Sequence, residues 1–242
     1  MPEVKVEDLY YTYPAGPVVL KGLSFAVEAG ETLALVGLSG CGKTTLCQCL
    51  CGIVPHVLHG DMQGQVLIKG RETTEYRLPR LACEIGMVFQ NPDVQLVCTT
   101  VEDEIAFAPE NLCLHPEEIR ARVEEILKQL GLSHVRLNNP ATLSGGQKQL
   151  LALGAVLALQ PSVLVLDEPM AMLDAKGKGL VREILLSLRQ QGKTLIIVDH
   201  DFENIDFADR LLVMEQGEII CLDRAEAVLA DEPFLRRHRL LF

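Results

Sequence analysis

The chain has 242 residues, of which 48% are hydrophobic and 23% charged, so it has enough apolar sequence to bury a large core and is not disordered. A formal net charge of -11 argues against broad nucleic-acid binding, because affinity for DNA and RNA rests on Lys and Arg that neutralise phosphates. Eight cysteines and no recognisable signal peptide favour reduced thiols in a cytosolic compartment over disulfides.

The N-terminal third predicts an antiparallel sheet. Three segments alternate apolar and polar residues, Val4 to Tyr13, Leu23 to Val27 and Gln65 to Ile68. Such alternation is typical of strands with one buried and one exposed face. We therefore expect an N-terminal antiparallel β subdomain.

Four short apolar runs predict strands of a different kind. They are Leu33 to Val36, Ile85 to Phe89, Val163 to Leu166 and Leu195 to Val198. Continuous apolar runs of this length indicate strands that are buried on both faces, as in parallel sheets covered by helices. The sequence thus predicts an α/β fold with a mostly parallel core sheet.

A glycine-rich phosphate-binding motif follows the first of these runs. Gly37 begins the pattern Gly-x-x-x-x-Gly-Lys-Thr, and a helical pattern continues from Thr45. Backbone N–H groups in such a loop surround phosphate oxygens, the Lys reaches the β and γ phosphates, and the Thr hydroxyl binds Mg²⁺. The predicted nucleotide-binding residues of this loop are Gly37, Ser39, Gly40, Cys41, Gly42, Lys43, Thr44 and Thr45.

A helical insert is predicted between the core strands. It begins after Gln90 and ends near Pro161, so we assign residues 92–160 to a helical subdomain and residues 1–91 and 161–242 to the nucleotide-binding core. Within it, Pro116 to Leu130 has apolar residues at helical spacing and ends at a glycine. The apolar stretch Leu150 to Leu166 is interrupted by Gln-Pro-Ser, which predicts a helix, a turn and a buried strand instead of a membrane span.

A second glycine-rich site lies inside this insert. Residues 143–147 read Leu-Ser-Gly-Gly-Gln, about a hundred residues after the phosphate-binding loop. A phosphate-binding loop alone does not explain why the same chain has a second glycine-rich anion site. The pairing suggests ATP held between two such chains.

Polar residues follow three of the predicted buried strands. Asp167 and Glu168 follow one strand, His200 follows another, and Gln90 follows the strand that precedes the insert. The carboxyl ends of parallel strands are where α/β sheets gather their ligands. We expect Asp167 to bind Mg²⁺, Glu168 to orient or deprotonate water, His200 to contact the γ-phosphate, and Gln90 to ligate Mg²⁺ or touch the water.

These motifs occur in the order found in the ATP-binding subunits of ABC transporters, which the chain resembles over nearly its whole length. The resemblance implies a P-loop NTPase core of RecA-like type and a signature motif at residues 143–147 that caps ATP on the partner chain. It implies Tyr13 as the aromatic that stacks on adenine, with Tyr10 and Tyr11 as alternatives. The other residues that it adds to the nucleotide site are Ser144, Gly145, Gly146, Gln147 and Asp174. It also implies Thr44, Gln90 and Asp167 as the ligands of Mg²⁺.

A narrower resemblance is to the ATPases of energy-coupling factor importers, which take up vitamins or cobalt and nickel ions. It rests on Tyr11-x-Tyr13-Pro14, on Phe89 to Leu96 and on Thr100 to Phe107. It implies a second ATPase subunit, identical or different, a transmembrane coupling subunit, a substrate-capture subunit, and a place at the cytoplasmic face of the membrane. The alternatives are an ABC-type ATPase that acts on DNA or ribosomes and a monomeric P-loop kinase.

The chain departs from the family pattern at several positions near these motifs, including Met170 and Met172, which replace small or polar residues. Leu150 stands where an Arg is usual, which removes a positive charge near the signature helix, and Asp199 adds a negative charge beside His200. The basic ending Arg236 to Phe242 has two open interpretations, a contact with anionic lipid or a partner and a solvated tail.

Overall fold

The computed structural model describes residues 1–240, so the last two residues of the basic ending lie outside the described part. The strands are β1 Val4–Thr12, β2 Val18–Val27, β3 Thr32–Gly37, β4 Asp61–Ile68, β5 Arg71–Glu72, β6 Ile85–Val88, β7 Val163–Asp167, β8 Thr194–Val198, β9 Arg210–Glu215 and β10 Glu218–Arg224. The helices are α1 Lys43–Leu50, α2 Ile53–His56, α3 Leu78–Leu81, α4 Val101–Asn111, α5 Pro116–Gln129, α6 Gly145–Leu157, α7 Ala175–Gln190, α8 Ala225–Ala230 and α9 Glu232–Arg237.

The N-terminal sheet has the order β2-β1-β4-β5 and is antiparallel. Burial alternates along both halves of β1, with Val4 and Val6 buried in the first half and Leu9 and Tyr11 in the second, and the register shifts between Val6 and Leu9. This matches the alternation in the sequence, which confirms the predicted antiparallel subdomain. Strand β2 begins at Val18, five residues before the predicted start.

The core sheet has the order β10-β9-β3-β8-β7-β6, and all neighbouring pairs are parallel except β9 and β10. Every residue of β3, β7 and β8 is buried, as their continuous apolar runs predict. Successive residues of β3 contribute to two separate apolar clusters, with Ala34 and Val36 in one and Leu33 and Leu35 in the other. The sheet therefore has a packed core on each face, and the predicted α/β architecture is confirmed.

The segment 92–160 contains α4, α5 and α6, which contact one another. Helix α5 begins at the predicted Pro116, ends one residue before the predicted Leu130, and buries Ile119, Val123 and Ile126 on one face. Leu150 lies in α6, is 8% exposed and belongs to the same apolar cluster, so an apolar side chain suits this position. Among residues 1–240, no helix has the length and apolarity needed to cross a bilayer.

Candidate functional site

The phosphate-binding loop connects β3 to α1 at the carboxyl edge of the core sheet. Gly37 has φ of 153°, and a Cβ there would lie 2.3 Å from the carbonyl oxygen of Met214, so no other residue fits without a backbone shift. Lys43 Nζ donates hydrogen bonds to the carbonyl oxygens of Gly37 at 2.7 Å and Leu38 at 3.1 Å. The loop thus holds its own cation at the start of α1, where helix N–H groups favour an anion.

Thr44 and Asp167 meet directly across the site. The Thr44 hydroxyl donates to Asp167 Oδ2 at 2.7 Å, and Asp167 is 2% exposed. Burial raises the pKa of Asp167 above 3.8, although the Thr44 hydrogen bond acts in the opposite direction. A hydroxyl oxygen beside a buried carboxylate is a hard-oxygen pair of the kind that Mg²⁺ prefers, so these residues fit the predicted metal.

Gln90, Glu168 and His200 converge on one point. Gln90 Nε2 donates to Glu168 Oε2 at 2.7 Å, and His200 Nδ1 lies 3.9 Å from Glu168 Oε1. Glu168 has φ of 49°, a left-handed conformation that is costly for a residue with a Cβ. Such strained residues concentrate at functional sites, which agrees with the role predicted for Glu168.

Two cavities with shared lining residues surround these side chains, with volumes of about 240 Å³ and 440 Å³. Both are lined by Ser39, Lys43, Gln90 and Glu168. The smaller cavity adds Gly40, Gly42, Thr44, Thr45 and Asp167, and the larger adds Gly37 and His200. The structure therefore brings together the residues that sequence motifs placed far apart in the chain.

Two further residues of the predicted motifs, Cys41 and Asp199, are buried. Cys41 is 6% exposed, and burial raises the pKa of its thiol, with Lys43 acting in the opposite direction. Asp199 is 3% exposed and accepts hydrogen bonds from the Asp201 N–H at 2.9 Å and the Asn204 side chain at 3.0 Å. Asp199 thus orders the turn after β8, and its Oδ1 lies 4.0 Å from His200 Nδ1.

The aromatic residue predicted to stack on adenine lies beside α1. The Tyr13 hydroxyl hydrogen-bonds to Thr45 Oγ1 at 3.1 Å and donates to Gln48 Oε1 at 3.2 Å. Its ring is edge-on to Tyr11 at 4.8 Å, and Tyr11 is fully buried, so Tyr11 is excluded as the stacking residue. The position of Tyr13 is compatible with the predicted role.

The residues of the signature motif, and Asp174, lie outside the cavities around Lys43. Ser144 caps α6, where its hydroxyl accepts from the Gln147 N–H at 3.3 Å while its own N–H donates to Gln147 Oε1 at 3.1 Å. Asp174 caps α7 by accepting from the Gly177 N–H at 2.8 Å. Within one chain, neither these residues nor Gly145 and Gly146 line the cavities around Lys43.

The structure adds residues to the site that the motifs did not indicate. Val19 of β2 lines the smaller cavity, and Phe202, Arg239 and Leu240 line the larger one. Val19 and Leu240 belong to no sequence motif. Only the fold brings these ordinary apolar residues to the site. The basic ending was noted in the sequence, but nothing there connected Arg239 with the phosphate loop.

The fold and site together define a P-loop nucleotide-binding cassette with an inserted helical segment and a separate glycine-rich helix start. A family model described as ABC transporter matches residues 20–171. The chain therefore belongs to the ABC transporter ATP-binding family.

Curated relatives point to a narrower group. The chain is similar to the energy-coupling factor transporter ATP-binding protein EcfA of Methanocaldococcus jannaschii, with 40% identity over 240 residues that cover 98% of this chain and 84% of the relative. It is 38% identical over 229 residues to EcfA of Methanosarcina acetivorans, covering 94% and 82% respectively. With a putative ABC transporter ATP-binding protein of M. acetivorans it shares 43% identity over 234 residues, 96% of this chain but only 38% of that longer protein.

Solved structures show the same fold. The cbiO1 protein of Clostridium perfringens, described as part of the ABC transporter complex cbiONQ, is 34% identical with a TM-score of 0.82, covering 99% of this chain and 95% of that one. The ATP-binding cassette MJ0796, solved as a dimer in a post-hydrolysis state with ADP and Pi, is 27% identical with a TM-score of 0.80 over 91% of this chain and 98% of that one.

Proposed function

We propose that this chain is the ATP-hydrolysing subunit of an energy-coupling factor type importer that takes up a micronutrient, either a vitamin or a transition-metal ion. ATP would be bound between two cassettes, identical or different. Closure of this dimer on ATP and its opening after hydrolysis would drive transport.

The observation that carries the proposal is the separation of the two anion-binding ends within one chain. The start of α1 has Lys43 and the acidic side chains beside it, whereas the start of α6 has a capped Ser-Gly-Gly turn away from those cavities. Both helix starts favour anions. A second copy, or a similar chain, would supply the α6 end to each α1 site and complete it.

The hydrolysis step follows from the residues around Glu168. A water oxygen would attack the γ-phosphorus, the bond to the bridging β–γ oxygen would break, and the water proton would pass to the Glu168 carboxylate, leaving ADP and phosphate. Gln90 and His200 lie close enough to Glu168 to orient the water and the γ-phosphate. Thr44, Asp167 and Gln90 would hold Mg²⁺, which offsets phosphate charge when bound.

A surface beside the site fits a membrane partner. An apolar cleft of about 310 Å³ between β6, α4 and α6 is lined by Phe89, Phe107 and Ala155. Phe107 is 47% exposed, and Val94 and Val97, which lie within two residues of the cleft-lining Gln95, are each 68% exposed. Exposed apolar patches of this kind mark interaction sites. We assign this cleft to the transmembrane coupling subunit, which would hold the chain at the cytoplasmic face of the membrane.

The same cleft explains how the ATP site would be linked to transport. Phe89 and Gln95 line its wall, and Gln95 Oε1 accepts from the Phe89 N–H at 3.1 Å. Gln90 follows Phe89 directly and hydrogen-bonds to Glu168. A change at the γ-phosphate that moves Gln90 would therefore also move a wall of the partner-binding cleft.

The rival functions are an ABC-type ATPase that acts on DNA or ribosomes and a monomeric P-loop kinase. The acidic net charge of -11 gives nucleic acid little electrostatic attraction, and a kinase does not use the second glycine-rich helix start. The test is affinity purification of the tagged full-length chain from solubilised membranes, with identification of its partners by mass spectrometry.

Recovery of an integral membrane subunit together with a substrate-capture subunit supports the importer. A Phe107→Asp variant, which places a charge in the cleft, should lose these partners, whereas Leu137→Asp should keep them because Leu137 is exposed elsewhere. ATP hydrolysis stimulated by DNA or ribosomes, with no membrane subunit recovered, would contradict the proposal.

A further inference from the structure

Arg239 is held at the catalytic cavity by an unusual helix end. Helix α9 terminates in a paired hydrogen-bond pattern in which the Arg239 N–H donates to the Arg236 carbonyl at 3.2 Å and the Leu240 N–H donates to the Leu235 carbonyl at 2.9 Å. This pattern places the residue after the cap in the left-handed region, where glycine is favoured. Here that residue is Arg239, with φ of 55°.

The helix end is fixed to the core on both sides of Arg239. Leu235 and Leu240 are 1% and 8% exposed and pack in the same apolar cluster. His238 Nδ1 lies 2.7 Å from Glu215 Oε2 at the end of β9, and the N–H of Gly217 in the next turn donates to the Cys41 carbonyl at 3.1 Å. The C-terminal turn is therefore tied to the phosphate-binding loop.

This anchoring makes Arg239 part of the wall of the 440 Å³ cavity that also contains Lys43, Gln90, Glu168 and His200. None of the ion pairs among residues 1–240 involves Arg239. Two basic residues, Lys43 and Arg239, thus line this cavity together with one acidic residue, Glu168. A cavity with this charge pattern attracts a multiply charged anion, and a guanidinium suits phosphate oxygens because of its planar donors.

We propose that Arg239 contacts the γ-phosphoryl group of ATP and stabilises the negative charge that develops on its oxygens during hydrolysis. Arg239 thereby acts as a second phosphate-binding cation beside Lys43, supplied by the C-terminal turn of the same chain. This inference rests on the proposed ATP hydrolysis. It also accounts for an arginine at a position where its backbone conformation is unfavourable, since strain is retained where function requires it.

The test separates the side chain from the helix end that carries it. Arg239→Gly removes the guanidinium and supplies the residue that the left-handed position prefers, so the melting temperature should hold or rise by about 2 °C. Arg239→Lys keeps the charge without the planar donors. Arg237→Ala is the control, because Arg237 is an exposed arginine of the same helix that does not line the cavity.

We expect kcat for ATP to fall about tenfold in Arg239→Gly, below the loss for a fully enclosed oxyanion donor because Arg239 is exposed. KM for ATP should stay within about twofold, since the contact strengthens in the transition state. Arg239→Lys should have an intermediate kcat, and Arg237→Ala should match wild type.

Wild-type kcat in Arg239→Gly would overturn the inference while leaving the proposed function intact. An equal loss in Arg237→Ala would do the same, because it would show a general charge effect. Absence of ATP turnover in the wild-type chain would instead contradict the proposed function, and this inference with it.

Discussion

Replacing Thr44 by Val removes one hydroxyl from the interior of the site and keeps the shape of the side chain. That hydroxyl donates to Asp167 Oδ2 at 2.7 Å, and Asp167 is 2% exposed, so the hydrogen bond is made to a buried carboxylate. A hydrogen bond to a buried charged group contributes about 1.5–3 kcal/mol, and we expect Thr44→Val to lose about 2 kcal/mol of the free energy of unfolding. For a chain of this length the melting temperature should fall by about 4–8 °C.

The pH dependence gives this prediction a second signature. Burial raises the pKa of Asp167 above 3.8, so the ionised form is the unfavourable one in the folded chain. The cost of ionising Asp167 in the folded chain is absent at a pH below its unfolded pKa. This cost grows as the pH rises from the unfolded pKa to the folded pKa, and it is constant at higher pH. The loss in Thr44→Val should therefore be full at about pH 7 and should shrink as the pH is lowered toward the unfolded pKa of Asp167.

The assay is calorimetric unfolding of the nucleotide-free chain at about pH 7 and at a series of lower pH values. Thr44→Ser, which keeps the hydroxyl, is the matched control and should unfold within about 1 kcal/mol of wild type. In an Asp167→Asn background the Val substitution should cost less, because no charge is left unpaired. Equal stability of wild type and Thr44→Val at pH 7 would refute the role given to this hydrogen bond.

Three further predictions concern the groups around this pair. His200→Ala should lower ATP turnover about 10²-fold with little change in ATP affinity, while alanine at the exposed His134 should have no effect; equal turnover in both variants would remove His200 from the mechanism. Ser144→Ala should cost about 1 kcal/mol of stability and most ATP turnover, whereas Asn139→Ala, which removes another capping side chain, should cost stability alone. Because burial raises the pKa of Cys41, its alkylation should be slower than that of the exposed Cys113, should accelerate at higher pH, and should slow when ATP is bound, as measured by mass spectrometry.

Much of the core could be predicted because its signals are local. The continuous apolar runs of β3, β7 and β8 indicate strands buried on both faces, and each is followed by the polar residues that the site uses. Parallel strands bring their carboxyl ends to one edge, so Asp167 and His200 could be placed together without coordinates. The alternation of apolar and polar residues in β1 is also a local signal, so the N-terminal antiparallel sheet could be predicted as well.

The remaining features depend on tertiary contacts that no local pattern encodes. Leu150 departs from the family pattern in the sequence, but its burial shows that it fills an apolar cluster. The contact of Gln90 with Glu168 joins residues 78 positions apart. Arg239 reaches the catalytic cavity only because Leu240 is buried and His238 pairs with Glu215.

The C-terminal elements show the same limit at a larger scale. The antiparallel pair β9 and β10 and the short helices α8 and α9 were not predicted. No residue of strand β10 is fully buried, and buried and exposed residues do not alternate along it. Its pairing with β9 therefore could not be inferred from its own sequence.

The central claim is that each ATP site is completed by a second cassette, and Glu168→Gln tests it most directly. The variant keeps the shape of the side chain that hydrogen-bonds to Gln90 but cannot accept the water proton, so hydrolysis should fall by about 10²–10⁴-fold while ATP still binds. With saturating ATP and Mg²⁺, light scattering after size exclusion should show a dimer of the variant and a monomer when ATP is omitted. If ATP binds the variant at saturation and every molecule remains a monomer, both alone and mixed with any second ATPase subunit that copurifies with the chain, the shared site is contradicted.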